Sequence, residues 1–69
     1  MAKLLSSAEV VAILLAHGFV FVSQKGSHIK YRNAATGRTV IVPAGRREIP
    51  RGTLASIIRQ SGLPREPFN

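Results

Sequence analysis

The 69-residue chain has no cysteine and no aspartate, and it contains only three glutamates. Without thiols it can form neither a disulfide scaffold nor a thiolate zinc site. The three glutamates are far apart in the sequence, which argues against a carboxylate metal cluster. The composition therefore predicts a protein with no metal site and no cofactor.

Long apolar segments are also missing. The longest stretch without a formal charge, residues 10–24, is 15 residues long, whereas a membrane-spanning helix needs about 20 apolar residues. The N-terminus does not resemble a signal peptide, because it carries one cation, Lys3, and Glu9 stands where the apolar stretch should begin. We expect a cytoplasmic protein without a membrane partner.

Negative charge is scarce throughout the chain. Ten Lys and Arg residues oppose three glutamates, which gives a net charge of +7. Residues 1–24 contain Lys3 and Glu9 and sum to zero, so residues 25–69 carry the whole excess. An imbalance of this size predicts an anionic partner, which is a nucleic acid, an acidic protein or a membrane surface. A membrane surface fits least, because residues 1–24, which contain the first apolar helix pattern, carry no net charge.

The chain begins with a clear helix signal. Ser6 and Glu9 have the spacing of a capping box, and the apolar residues that follow recur at helical spacing up to Gly18. These residues predict a helix over about 7–17. Its apolar stripe is Val10, Val11, Ile13, Leu14 and Leu15.

The pattern then changes to β-type alternation. Three β-favouring segments are separated by turns rich in glycine and asparagine, and a loop bounded by Pro43 and Pro50 leads to a second helix. The predicted strands are 19–22, 28–32 and 38–42, with turns at 25–27 and 33–37, a loop over 43–50 and the second helix over about 51–61.

The element order α-β-β-β-α predicts an α+β fold. We expect one domain over residues 1–69, with a three-stranded antiparallel sheet and two helices on one face. Its core spans about 5–63, and 64–69 form a tail whose last residues, 65–69, are expected to be poorly ordered. Because residues 19–22 are apolar on both faces, one pair points away from the helices and is either a partner surface or covered by a loop or the tail.

His28 is the candidate chemical group. Alternation places it with Lys30 and Arg32 on the strand face opposite Ile29 and Tyr31. An imidazole titrates near pH ~6.5, and neighbouring cations suit a phosphodiester substrate. The alternative is an exposed histidine without a role. The other histidine lies at the end of the first helix, where it suits the helix dipole.

Several stretches resemble the HicA family of toxins, which are small RNA-cleaving proteins of toxin–antitoxin pairs. The resemblance covers about residues 5–63 and has an ordered set of matching segments. These are Gly18-Phe19, Lys25-Gly26-Ser27-His28, Val42-Pro43, Gly52-Thr53-Leu54 and residues 57–63.

This resemblance implies a double-stranded-RNA-binding-domain-like fold and ribonuclease activity on mRNA, with His28 as the catalytic residue. It also implies a HicB-type antitoxin that covers the site, so that the free toxin is a monomer or small oligomer and the neutralised form a hetero-oligomer. Family members often carry a second histidine where this chain has Ala44. His28 would then work with a lysine or an arginine. The candidate RNA-binding residues are Lys25, Gly26, Ser27, Lys30, Arg32, Arg46, Arg47 and Arg51.

The resulting hypothesis is a metal-independent endoribonuclease. His28 would take the proton from a ribose 2′-hydroxyl, which attacks the adjacent phosphate, so that RNA and not DNA is cleaved. Two alternatives stay open at this point. One is a non-catalytic RNA-binding module with an inert His28, and the other is a basic subunit that binds only an acidic protein.

Overall fold

The computed structural model describes residues 3–69. Two helices enclose three strands in the chain order, so the predicted α-β-β-β-α arrangement is confirmed. A short 3₁₀ helix follows the second helix. The elements are α1 (Ser7–Ala16), β1 (Phe19–Lys25), β2 (His28–Asn33), β3 (Thr39–Pro43), α2 (Arg51–Ser61) and the 3₁₀ helix Glu66–Phe68.

The predicted capping box starts α1. The Glu9 amide donates to the Ser6 hydroxyl at 3.1 Å, and the Ser6 amide donates to the Glu9 carboxylate at 2.9 Å. The hydrogen bond from the Ser6 backbone, followed by that from Lys3, holds the pKa of the Glu9 carboxyl below its ordinary value. Leu15 differs from its prediction, because it is 52% exposed and lies outside the buried stripe.

The sheet is antiparallel with the strand order β1-β2-β3. β1 extends beyond its predicted end and contains a β-bulge, since the register shifts between Phe21 and Ser23. Strict alternation from Phe19 would place Lys25 on the buried face. The extra residue reverses this, so that Lys25 pairs with His28.

Both helices pack on one face of the sheet, as predicted. We call this the covered face. It carries Ile29 and Tyr31 of β2 and Val40 and Val42 of β3. The core contains ten buried apolar side chains from the helices, the strands, the loop before α2 and the C-terminal segment. They are Val10, Leu14, Phe19, Tyr31, Val40, Val42, Ile49, Leu54, Ile57 and Phe68.

The predicted disorder of residues 65–69 is wrong. Phe68 is only 5% exposed and belongs to the core, and the 3₁₀ helix that carries it packs against α1. The Phe68 amide donates to the Arg65 carbonyl at 2.9 Å. A single large aromatic side chain stabilises this segment because burying it removes a large apolar area from water.

The apolar run of β1 also differs from the expected division into one buried and one exposed pair. Phe19 is buried, but Val20, Phe21 and Val22 are all about half exposed. β1 is an edge strand, and the Phe21 ring packs edge-on against the ring of the core residue Tyr31, with ring centroids 6.2 Å apart. Neither the loop nor the tail covers these three exposed side chains.

No helix in residues 3–69 is long and apolar enough to cross a membrane.

Candidate nucleic-acid interface

His28 is the first residue of β2 and follows a tight turn. Gly26 in this turn has φ +58°, a left-handed conformation that favours glycine, and a Cβ there would meet no atom within 4 Å. The constraint is therefore conformational and not steric. The Gln24 side-chain amide donates to the Gly26 carbonyl at 3.0 Å and closes the turn, so His28 stands at a defined end of the hairpin.

The face of the sheet opposite the helices, here called the open face, is built from rows of paired residues. Its β2 members are His28, Lys30 and Arg32, all exposed, so their predicted placement on one face is confirmed. The strand pairings define three rows across the sheet. These are Lys25–His28–Pro43, Ser23–Lys30–Ile41 and Val20–Arg32–Thr39.

Two depressions of the open face meet at His28 and Ile41. The first, the β1-side depression, is otherwise lined by Ser23, Lys25 and Lys30. The second, the α2-side depression, lies towards the start of α2 and is completed by Pro43, Arg46, Pro50 and Thr53. His28 therefore lies on the boundary between two concave surfaces that together carry three cations.

The loop between β3 and α2 positions one side of this site. Ser7 is buried, and its hydroxyl donates to the Pro43 carbonyl at 2.5 Å while it accepts from the Arg46 amide at 2.9 Å. The Ala44 amide donates to the Ser27 carbonyl at 2.7 Å. The turn after β3 is thus bonded both to α1 and to the hairpin that carries His28.

The structure divides the cations that the sequence grouped together. Lys25, Lys30 and Arg46 line the two depressions at His28, and Arg32 follows on the same face. Arg47 lines a third depression beside α1, to which Arg46 also contributes. Arg51 lines a fourth depression near the tail, which it shares with Lys3, Glu9 and Phe68.

Three residues of the site were missed in the sequence reasoning. Ser23 reaches the open face only because of the bulge, which no sequence pattern indicated. Ile41 alternates with Val40 and Val42, so its exposure was readable from the strand pattern. Thr53 belongs to a segment that matches the HicA family but was not among the candidate RNA-binding residues, and it lines the α2-side depression.

The electrostatics of the open face are one-sided. In residues 3–69 the one ion pair joins Lys3 to Glu9 at 3.3 Å. The cations that line the two depressions at His28 therefore form no ion pair with a carboxylate, and neither depression is lined by one. Among the same described residues, no three His, Cys, Asp or Glu side chains lie together in a metal-binding arrangement.

The two histidines differ in their surroundings. The His17 ring caps the end of α1, where Nδ1 lies 2.8 Å from the Ile13 carbonyl and donates to it. This bond gives His17 a structural role. His28 is exposed, and no hydrogen bond to its ring is formed within residues 3–69, so the imidazole is accessible to a ligand.

These features define a small α+β protein whose open sheet face presents one accessible histidine among cations, which is a surface suited to an anionic ligand. The family model described as "HicA toxin of bacterial toxin-antitoxin" matches residues 7–63, which is most of the chain. The chain therefore belongs to the HicA toxin family, as its motifs predicted. A search of curated proteins gives no match.

Proposed function

We propose that this toxin is a metal-independent endoribonuclease that cleaves mRNA with His28 and is neutralised by a HicB-type antitoxin. The observation that carries the proposal is the position of His28, which is exposed, starts a strand and lines two depressions that contain cations and no carboxylate. Membership of the HicA toxin family supports a toxin role and, in general terms, an RNA target.

In the proposed reaction His28 acts as general base. The imidazole takes the proton from a ribose 2′-hydroxyl, and the 2′-oxygen then forms a bond to the adjacent phosphorus. The bond from phosphorus to the 5′-oxygen breaks, and that oxygen leaves with a proton from water. The products are a 2′,3′-cyclic phosphate and a 5′-hydroxyl end. DNA lacks the attacking hydroxyl and is not cleaved.

The cations have two functions in this proposal. Lys25, Lys30, Arg32 and Arg46 contact phosphates near His28 and stabilise the negative charge that develops during attack. Arg47 and Arg51 lie outside the depressions at His28 and raise the rate of encounter with RNA through long-range attraction. Gly26 and Ser27 shape the turn that presents the imidazole.

The antitoxin is proposed to cover the open face. An acidic HicB-type protein would compete with RNA for the same cations, because both partners are anionic. The exposed side chains of Val20, Phe21 and Val22 at the adjoining sheet edge would add apolar area to such an interface. Purified toxin mixed with the acidic product of the neighbouring reading frame should form a complex that no longer cleaves RNA.

The decisive experiment compares the protein with its His28→Ala variant on end-labelled RNA and on DNA of the same sequence, in EDTA. We expect cleavage of RNA alone and 2′,3′-cyclic phosphate ends. His28→Ala should lose about 10²- to 10⁴-fold in rate, the usual contribution of a general base. His17→Ala is the matched control and should keep its activity, because that ring caps a helix.

The alternative readings give different results. Equal rates for the protein and for His28→Ala, or activity that disappears with the chelator, contradict the proposal. RNA that is bound tightly by both proteins and left intact supports the non-catalytic binding module. A protein that binds the acidic partner and ignores RNA supports the purely structural subunit.

A further inference from the structure

Two consecutive arginines of the loop before α2 face different surroundings. Arg46 and Arg47 are both exposed and carry the same charge. Both arginines line the depression beside α1, but of the two only Arg46 also lines the α2-side depression together with His28. The two side chains therefore form an internal comparison of position at constant charge.

The backbone of Arg46 is bonded on both sides by one buried residue. Ser7 is 6% exposed, its hydroxyl accepts from the Arg46 amide at 2.9 Å, and its own amide donates to the Arg46 carbonyl at 2.9 Å. The same hydroxyl donates to the Pro43 carbonyl. Since Pro43 pairs with His28 in the sheet, this set of bonds fixes the backbone of Arg46 relative to the strand that carries His28.

The α2-side depression has a defined chemical character. Its polar side chains are the His28 imidazole, the Arg46 guanidinium and the Thr53 hydroxyl, and it contains no carboxylate. Its remaining walls are Ile41 and two prolines, whose side chains form no hydrogen bonds. A guanidinium fork and a hydroxyl beside an imidazole are a donor set that matches the non-bridging oxygens of a phosphodiester.

We infer that Arg46 and Thr53 bind the phosphate that is cleaved, and that Ser7 is the positioning residue that holds Arg46 there. The inference rests on the proposed function and deepens it. As the 2′-oxygen bonds to phosphorus and the 5′-oxygen departs, negative charge grows on the non-bridging oxygens. Arg46 stabilises that charge directly, and Thr53 donates one hydrogen bond to it. Arg47 attracts RNA only through its long-range field.

The test measures kcat and KM on one oligoribonucleotide for Arg46→Met and Arg47→Met. Both variants lose one charge, so both should raise KM to a similar, few-fold extent. Arg46→Met alone should also lower kcat, by about 10²- to 10³-fold, the typical effect of removing one donor to a developing oxyanion. Arg46→Lys should recover only part of this loss, because an ammonium lacks the planar fork.

Two further variants separate the roles of Thr53 and Ser7. Thr53→Val removes the hydroxyl at nearly constant shape and should lower kcat, and Thr53→Ser should restore it. Ser7→Ala should lower kcat when Arg46 is present and cause little further loss in the Arg46→Met background, since coupled residues are not additive. Circular dichroism melting of each variant checks that the loss is not caused by unfolding.

The outcomes distinguish the inference from the function beneath it. If the protein does not cleave RNA, or if His28→Ala cleaves equally well, the proposed function fails and the inference fails with it. If His28 is essential but Arg46→Met and Arg47→Met have the same kcat, the function stands and the inference is overturned. Full activity of Thr53→Val would remove Thr53 from the phosphate site.

Discussion

The two faces of the sheet differ although they are formed by the same three strands. On the covered face Tyr31, Val40 and Val42 are buried beneath the helices, whereas on the open face His28 and Lys30 are exposed to solvent. Neighbouring residues of one strand thus serve different purposes. One set stabilises the fold and the other is available for a ligand, because successive side chains of a strand point to opposite faces.

Because the two sets of side chains lie on opposite faces, we expect that substitutions can alter stability and ligand binding independently in this small protein. A substitution on the covered face should lower the free energy of unfolding. A substitution on the open face should change interactions with RNA and leave unfolding almost unaffected.

The sharpest comparison lies within β1, where Phe19 is 1% exposed and Phe21 is 56% exposed. Phe19→Ala should lower the free energy of unfolding by about 3–5 kcal/mol, as expected for a buried phenylalanine. Phe21→Ala is the matched control. It removes a half-exposed ring that packs against Tyr31 and should lower the free energy of unfolding by about 1 kcal/mol. Urea unfolding followed by circular dichroism measures both values. Similar costs for the two variants would contradict the assigned burial.

The C-terminal segment belongs to the covered side through Phe68. Phe68→Ala should lower the free energy of unfolding by about 3 kcal/mol, the lower end of the range for buried aromatic residues, since a chain end can relax around the cavity. Leu15→Ala, at an exposed position of α1, should change it by less than about 0.5 kcal/mol. Thermal unfolding of both variants provides the measurement. An unchanged midpoint for Phe68→Ala would show that the segment is not packed.

The open face is tested by neutralising one of its lysines. Lys30→Met should reduce the slope of log K against log salt for single-stranded RNA by about 0.7, the value for one lost phosphate contact. The free energy of unfolding should stay unchanged. Lys3→Met removes the same charge far from the open face and should leave the slope as it is. Fluorescence anisotropy at several salt concentrations measures these slopes, and equal slopes for both variants would count against the open face as the RNA surface.

The smallest effect concerns the capping box of α1, which lies outside both faces. Ser6→Ala should lower the free energy of unfolding by about 1 kcal/mol. The folded-state pKa of Glu9 is lowered from its ordinary value of 4.5. The stability that Glu9 contributes is therefore present above pH 4.5 and is lost as the pH falls through the lowered pKa. Glu9→Gln should therefore reduce the fall in the free energy of unfolding at acid pH, measured in unfolding experiments between pH 2 and 7. An unchanged fall would contradict the assigned role of the Glu9 carboxylate.

The element order and the faces of β2 were predictable from local rules. The Ser6–Glu9 spacing predicted the start of α1, and helical periodicity predicted α2. Strict alternation from His28 to Arg32 identified the open face correctly. Each of these signals depends on residues close together in the sequence, which is why they could be read without knowledge of the fold.

Other features depend on distant contacts and were not predictable. The bulge in β1 became visible only through its pairing with β2, and it decides that Lys25 stands beside His28. The C-terminal segment is ordered because the Phe68 side chain is buried in the core, and this burial depends on residues far from it in the sequence. The backbone of Arg46 is bonded to Ser7, which lies 39 residues earlier in the chain.

Composition and local periodicity were sufficient for the helices, the strands, the positive charge and the exposure of His28 on the open face. The sequence motifs were also sufficient for the HicA toxin family, which the family comparison confirms. Alternation also placed Lys30 and Arg32 on the face of His28, whereas the positions of Lys25 and Arg46 beside it were decided by the tertiary structure. A cation acts on a phosphate over a few ångströms, and distances of that size between residues far apart in the chain are set by strand register and loop anchoring.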